Sequence, residues 1–166
     1  MTKVFIGFGS NKGEKTSFIQ NAVEELNKNP KNEIVKISSL YETKPFGDVP
    51  QDNYLNGALL LNTDYNLEEL FVFLKNVEKL VGRTPSERWG PREIDLDILL
   101  FGEIISSEGE VIVPHKGIRE RDFVIKPLLE LDPELILPDN KSKLKDINIS
   151  EIEENVLNKL SYKITY

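Results

Sequence analysis

Two aspartates one residue apart, Asp95 and Asp97, stand in the stretch Arg88-Trp89-Gly90-Pro91-Arg92-Glu93-Ile94-Asp95-Leu96-Asp97-Ile98-Leu99-Leu100-Phe101. From Ile94 the pattern alternates with period two, which predicts a strand. Ile94, Leu96, Ile98 and Leu100 then face one way, and both carboxylates face the other. A rise of about 3.3 Å per residue puts the two aspartate Cα atoms roughly 6.5–7 Å apart. Like charges so close to an apolar row call for something positive between them. An arginine from the preceding loop is one candidate, and a divalent cation is another. The plainer reading is the solvated face of an amphipathic strand, but Asp is depleted in strands, which weighs against it.

The basic residues are unevenly placed. The chain has 16 Lys and 5 Arg, and all five arginines fall in one interval, as Arg83, Arg88, Arg92, Arg119 and Arg121. The only Trp (Trp89) and the only His (His115) lie there too, beside Lys116. Arginine offers phosphate a planar, bidentate fork that lysine lacks. The cluster therefore suggests a phosphate pocket, with structural ion pairs as the alternative. Elsewhere the chain is acidic. A net charge of −7 over 166 residues argues against a general nucleic-acid binder. Hydrophobic content of 39% and charged content of 30% suit a soluble globular protein. The length suits one domain over residues 1–166. There is no apolar run of about eighteen residues, so no membrane span or membrane partner is expected. The absence of cysteine excludes disulfides and thiolate metal sites and permits a cytoplasmic location.

These groups need a scaffold. Residues 3–9 read as a buried strand. The following Ser10-Asn11-Lys12-Gly13-Glu14-Lys15-Thr16 fails as a P-loop, because Glu14 stands where glycine must precede Lys-Thr. It fails as a dinucleotide fingerprint too, because Lys12 takes the third glycine position after Gly7 and Gly9. A turn is expected there, with Asn11 a candidate to line a site. Ser17 and Gln20 suggest a capping box for a helix whose stripe is Phe18, Ile19, Ala22, Val23 and Leu26, ending at Asn29-Pro30. A long strand is expected over 33–45, with Val35, Ile37, Ser39, Tyr41 and Thr43 on one face, then a loop over 46–52. A strand over 53–62 follows, Leu55, Leu59 and Leu61 on one face and Tyr54 and Asn56 on the other. The latter pair can stack on and hydrogen-bond a flat heterocycle, although ordinary sheet-surface residues look the same.

Residues 67–82 predict a helix with Leu67, Leu70, Phe71, Leu74, Val77 and Val81 in register. Glu78 falls inside that apolar stripe, where a carboxylate needs a cation. Residues 83–92 form a polar loop long enough to act as a lid. The order strand, helix, strand, strand, helix, strand is the ferredoxin-like split βαβ arrangement. It can bring Asn11, the 46–52 loop and the 83–92 loop near the aspartate strand. Beyond it we expect a hairpin of Ile104-Ile105 with Val111–Val113. A helix over 119–131 should turn Phe123, Leu128, Leu129 and Leu131 inward. A last helix capped by Ser150 and Glu153 and an edge strand in the tail (Tyr162, Ile164, Tyr166) would follow. The fold class is thus α+β, a ferredoxin-like βαββαβ core with a C-terminal hairpin and helical extension.

Arg88 to Phe101, with Gly9-Ser10-Asn11, Tyr54-Leu55-Asn56 and Val113-Pro114-His115, resembles the 6-hydroxymethyl-7,8-dihydropterin pyrophosphokinase family of folate biosynthesis. The likeness runs over nearly the whole chain, and Arg-Trp-Gly-Pro-Arg followed by Asp-Leu-Asp-Ile-Leu-Leu-Phe-Gly is its most specific part. The resemblance implies transfer of the diphosphate of ATP to the pterin hydroxymethyl group, with release of AMP. Asp95 and Asp97 match ligands of two Mg2+ ions, and Arg83, Arg92, His115 and Arg121 match phosphate-binding positions. Arg83 and Arg92 join the two aspartates as catalytic candidates. Arg88 and Trp89 match a mobile loop over ATP, and Lys75, Glu78, Ile98 and Lys116 match positions near the nucleotide. Thr43, Lys44, Phe46, Tyr54, Asn56, Asp95 and Phe123 match the pterin pocket, with Tyr54 and Phe123 sandwiching the ring.

The chain departs from the family pattern in several places. Thr84-Pro85 follows Arg83 where a further lid arginine is common. Lys116 replaces an aromatic, Lys44 a proline, and Glu110 and Ile112 polar residues that can touch ATP. The resemblance implies a cytoplasmic monomer, leaving contact with neighbouring folate-pathway enzymes open. Two other classes compete with it. A non-catalytic ferredoxin-like module would need the arginines but not the paired aspartates. An RNA-binding domain of that fold would need a basic, aromatic face.

Overall fold

In the computed structural model, which describes residues 1–45, 50–86 and 90–166, an antiparallel sheet is built around two central strands. These are β1 (Thr2–Ser10) and β4 (Tyr54–Thr63), paired from Thr2↔Thr63 to Ser10↔Leu55. Outside β1 lies β5 (Asp95–Phe101); outside β4 lie β2 (Asn32–Ile37) and β3 (Tyr41–Thr43). A last strand, β6 (Val156–Lys159), pairs with β3 at the edge. The strand order is β5-β1-β4-β3-β6, with β2 also on β4.

Helices cover both faces, so the central strands must be apolar on both. On one face α1 (Lys15–Lys28) and α2 (Leu67–Val81) bury Val4, Ile6 and Phe8 of β1, Leu59 and Leu61 of β4, and Leu96 and Ile98 of β5. On the other face α3 (Asp122–Leu131) and residues 135–144 cover Phe5, Ala58, Leu60, Leu99 and Leu100. α3 covers only part of its face, and the uncovered part is where the aspartates look out. α2 is capped at both ends. Asn66 and Glu69 form a reciprocal capping box, and Gly82 takes a left-handed φ of 116° that returns its amide to the last turn.

Several elements differ from the sequence reading. α1 begins at Lys15 with Glu14 at its N-cap and no side-chain cap, so Ser17 and Gln20 lie inside the helix. Gln20 instead exchanges hydrogen bonds with the Thr165 backbone. The long 33–45 strand is two strands. A register shift between Ile34 and Lys36 turns Val35 out, and the chain leaves the ladder between Ile37 and Tyr41. A second shift in β5 breaks the four-residue apolar row. Ile98 pairs with Ile6 and Leu100 with Phe5, so Leu99 and Leu100 both join the α3 side. The hairpin shrinks to one bridge, Ser106↔Val113. A 3-10 turn over Lys116–Arg119 precedes α3, which starts at Asp122. The helix expected after Ser150 is a 3-10 turn, Ile149–Glu151, followed by β6. Hydrogen bonds to the Asn155 and Val156 amides hold that segment extended, and tertiary pairing overrides the weak helical stripe. Among the described residues no strand follows Lys159; Ile164 is buried against the α1–α2 core instead.

Leu59 is fully buried at the middle of β4. Leu59→Ala should destabilise the fold by about 2–5 kcal/mol, read as a lower midpoint in urea unfolding with an unchanged slope.

Candidate active site

The floor of the site is backbone. Gly7 and Gly9 of β1 pair with Asp97 and Asp95 on one side, and Gly9 pairs with Asn56 on the other. A Cβ at Gly9 would lie 2.4 Å from Asn56 Oδ1, so only glycine leaves the carboxamide its place. Thr43, Lys44, Tyr54, Asn56, Arg92, Asp95, Asp97, His115, Arg121 and Phe123 line the cavity above this floor. β3 and β4 supply the first four, β5 the two acids, and the start of α3 supplies Phe123. Asn56 Nδ2 donates to Thr43 Oγ1 at 2.7 Å, fixing the amide orientation.

The two acids are prepared differently. Asp95 is held by two arginines, Arg83 at 2.7 Å and Arg92 at 2.6 Å. Among the described residues no donor reaches the Asp97 carboxylate. Burial, and next the negative charge of Asp95, push Asp97 up to about 6. Behind them Glu78 is buried, as its place in the α2 stripe implied, and cations do meet it. It accepts from Lys75 (2.7 Å), the Leu96 amide (2.7 Å) and Arg83. Glu78 thus aims Arg83 at Asp95 and pins the start of β5. His115 Nδ1 accepts from the Gly117 amide at 3.1 Å. Burial and then Arg121 hold the imidazole below its usual pKa, which leaves a neutral ring whose Nε2–H is free to donate. Burial raises the Tyr54 phenol, so it stays protonated.

The loop before β5 is fastened at both feet. Asn11 is buried and does not line the cavity. Its Oδ1 accepts from the Arg92 amide at 2.8 Å, and its Nδ2 donates to Gln51 Oε1 (2.8 Å) and the Asp52 carbonyl (3.1 Å). One carboxamide therefore joins the 50–53 and 90–93 segments; residues 46–49 of the expected 46–52 loop lie outside the described residues. Glu93 is also buried, and bonds Lys12 (2.6 Å), the Thr84 hydroxyl (2.7 Å) and the Thr84 amide (3.2 Å).

Of the expected nucleotide residues, Ile98, His115 and Lys116 line a second cleft with Phe71, Glu110, Val111 and Ile112. Asp97 and His115 border both cavities. Lys75, Glu78 and Arg83 lie behind the walls rather than in them. Phe46, Arg88 and Trp89 lie outside the described residues. Arg119 pairs with Asp139 at 2.6 Å, so this member of the arginine cluster is structural. The sequence reading missed Gly7, Gly9 and Phe71. The signal for the glycines was available: they sit two apart on a strand and share the face opposite Val4, Ile6 and Phe8.

The donor set fits magnesium. Among the described residues no cluster of three His, Cys, Asp or Glu side chains can hold a metal unaided. Two carboxylates with room for water and phosphate oxygens are what magnesium takes, rather than a complete protein cage. The Asp97 oxygens, without a donor among the described residues, are available to it, and Asp95 can join by exchanging its arginines.

Comparison with known proteins gives one answer. The family model for 7,8-dihydro-6-hydroxymethylpterin-pyrophosphokinase (HPPK) matches residues 5–133. The 2-amino-4-hydroxy-6-hydroxymethyldihydropteridine pyrophosphokinase of Aquifex aeolicus is 42% identical over 146 residues, covering 88% of this chain and 90% of that one. The bifunctional protein FolKE of Lactococcus lactis subsp. cremoris is 40% identical over 131 residues, 79% of this chain and 38% of its own length. Among solved structures, HPPK-DHPS of Plasmodium falciparum with pteroate superposes with a TM-score of 0.72 at 13% identity. That match covers 90% of this chain and 42% of the other, and it bears on fold alone.

Glu93 gives the site a pH signature. Burial opposes its charge, but the Lys12 and Thr84 hydrogen bonds outweigh that and bring it from 4.5 to about 2. The lowered pKa contributes stability above pH 4.5 that disappears as pH falls toward 2. Glu93→Gln should therefore cost about 1–3 kcal/mol at pH 7. Urea unfolding at a series of pH values should show the gap from the unmodified chain closing over that acid window.

Proposed function

The chain belongs to the 7,8-dihydro-6-hydroxymethylpterin-pyrophosphokinase family, and from that premise we propose how its cavity performs the reaction. It is a pyrophosphokinase of folate biosynthesis, with ATP as co-substrate. In our reading Tyr54 and Phe123 bracket the pterin ring. Asn56, oriented by Thr43, reads its polar edge above the glycine floor. The triphosphate lies toward β5 and reaches the second cleft past His115, with the base against Phe71 and Ile98. The observation that carries this reading is the Asp97 carboxylate, without a donor among the described residues, beside Asp95 at the border of the two cavities.

Asp95 and Asp97 would hold two magnesium ions; bound there, the ions supply charge neutralisation for the triphosphate and polarise the attacking hydroxyl. The protein's own groups do the rest. Arg92, Arg121 and the His115 Nε2–H donate to phosphate oxygens. Arg83 and Arg92, released from Asp95, move their positive charge to the migrating diphosphate. The pterin hydroxyl oxygen forms its bond to the β-phosphorus as the bond from that phosphorus to the α-bridging oxygen breaks. AMP leaves with the electron pair, and the hydroxyl proton passes to solvent water. The walls supply alignment for this in-line displacement, and a strong protein base is not required. Phe46, Arg88 and Trp89 remain assigned by resemblance, as do Lys44 for the pterin and Lys75 and Lys116 for ATP.

The strand order supports the ferredoxin-like description, taking β2 and β3 as one interrupted strand. Among the described residues no helix is long and apolar enough to cross a membrane. We place the protein in the cytoplasm as a monomeric single domain over 1–166. The bifunctional FolKE relative supports contact with neighbouring folate enzymes.

Asp97→Ala should lower magnesium-dependent AMP formation from ATP and the pterin alcohol by at least about 1000-fold. Circular dichroism should stay that of the parent. Turnover within tenfold of the parent would refute the assignment.

A further inference from the structure

The family match ends at residue 133, yet the chain beyond it reaches the cavity wall. β6 pairs with β3 in the register Thr43↔Val156. The Lys44 amide donates to the Asn155 carbonyl at 2.9 Å. At the start of α3 stands Asp122, the residue between the cavity-lining Arg121 and Phe123. It is 1% exposed. Its Oδ2 accepts from the Asn155 amide at 3.0 Å and the Val156 amide at 2.9 Å, with Lys126 Nζ at 3.7 Å. Its Oδ1 is buried with no hydrogen-bond partner among the described residues.

A buried carboxylate with an orphaned oxygen is costly, so the bonds of the other oxygen must outweigh that cost. Those bonds are charge-assisted and short, and they tie together three segments distant in sequence. The segments are the start of α3 with Phe123, the tail at Asn155–Val156, and the end of β3 with Thr43 and Lys44. Phe123 lines the cavity from the start of α3, and Thr43 and Lys44 line it from the end of β3. The only covalent routes between these walls are long, whereas the route through Asp122 and the tail is a few bonds.

We propose that Asp122 and the Asn155–Val156 backbone form a positioning device for the pterin half of the site. The C-terminal segment thereby sets the spacing between Phe123 and the Thr43–Lys44 wall. The inference rests on the pterin reading of the cavity and adds the tail to the substrate-binding machinery.

The test separates substrate from nucleotide. Asp122→Ala should raise KM for the pterin alcohol at least tenfold and KM for ATP less than threefold. Asp122→Asn, which keeps one acceptor oxygen for both amides, should recover most of the pterin affinity. Val156→Pro, which removes one of the two amides from the full chain, should show the same selective loss, and Asp122→Ala should add little to it. Equal changes in both KM values, or no change in either, would overturn the proposal. Amide hydrogen exchange on the unmodified chain decides the matter should the variants not fold. The Lys44, Asn155 and Val156 amides should slow on adding the pterin but not on adding magnesium and a non-hydrolysable ATP analogue alone. The same response to both ligands, or to neither, refutes it. If the unmodified chain neither binds pterin nor releases AMP, the functional reading fails instead.

Discussion

The site depends on holding two like charges beside each other in a partly buried place. β5 alone cannot do this, because its other face must stay in the α1–α2 core. β1 makes room with Gly7 and Gly9, which pair with the two aspartates: a Cβ at Gly9 would meet the Asn56 carboxamide, and one at Gly7 the Leu99 side chain. α2 reaches over with Glu78, which fixes both the Leu96 amide of β5 and the Arg83 guanidinium. Arg83 and Arg92 then neutralise Asp95 and leave Asp97 without a donor among the described residues. The asymmetry follows from geometry. Both arginines sit at the loop end of β5, next to Asp95, whereas Asp97 lies two residues deeper between the cavities.

Much of this was legible in the chain. Period-two alternation located β5, and the 3.6-residue stripe located α2 and marked Glu78 as a buried acid in need of a cation. The arginine cluster pointed to the site, although Arg119 belongs to a surface pair. Errors came where tertiary pairing overrides local pattern. Nothing in Ile98-Leu99-Leu100 announces a register shift, since any of the three apolar residues suits either covered face. Residues 150–160 carry a helical stripe and a capping signature, but two amide hydrogen bonds to Asp122, over thirty positions away, decide for a strand. Asn11 was noticed as a site candidate; its role as a clamp between two loops needs their meeting point, which sequence does not contain.

The clamps share a logic. Asn11, Glu93, Glu78 and Asp122 are buried polar groups that line neither cavity. Asn11 and Glu78 bond the Arg92 and Leu96 amides of segments that supply cavity residues. Glu93 holds the Thr84 end of the loop before β5, and Asp122 holds the tail that pairs with β3. Apolar packing holds the sheet and helices together but is tolerant of small shifts, because dispersion is non-directional. Hydrogen bonds to backbone fix positions to a fraction of an ångström. An apolar core carries the stability here, and a shell of buried carboxylates and carboxamides carries the register of the walls.

The paired acids also weigh the enzyme against a binding module of the same fold. A module that only captured a phosphate anion would gain from Arg92, Arg121 and the neutral His115 donor. Two carboxylates in the same cavity would work against it, since each repels the ligand and one has no donor among the described residues. Replacing either by an amide would improve such a module at no cost to the fold. The acids make physical sense only where a cation enters with the anion, and a cation between carboxylates and a polyphosphate is the arrangement that phosphoryl and diphosphoryl transfer requires. The same acids that would spoil a passive phosphate site are therefore the strongest argument, within this chain's own chemistry, for the transferase that its family membership names.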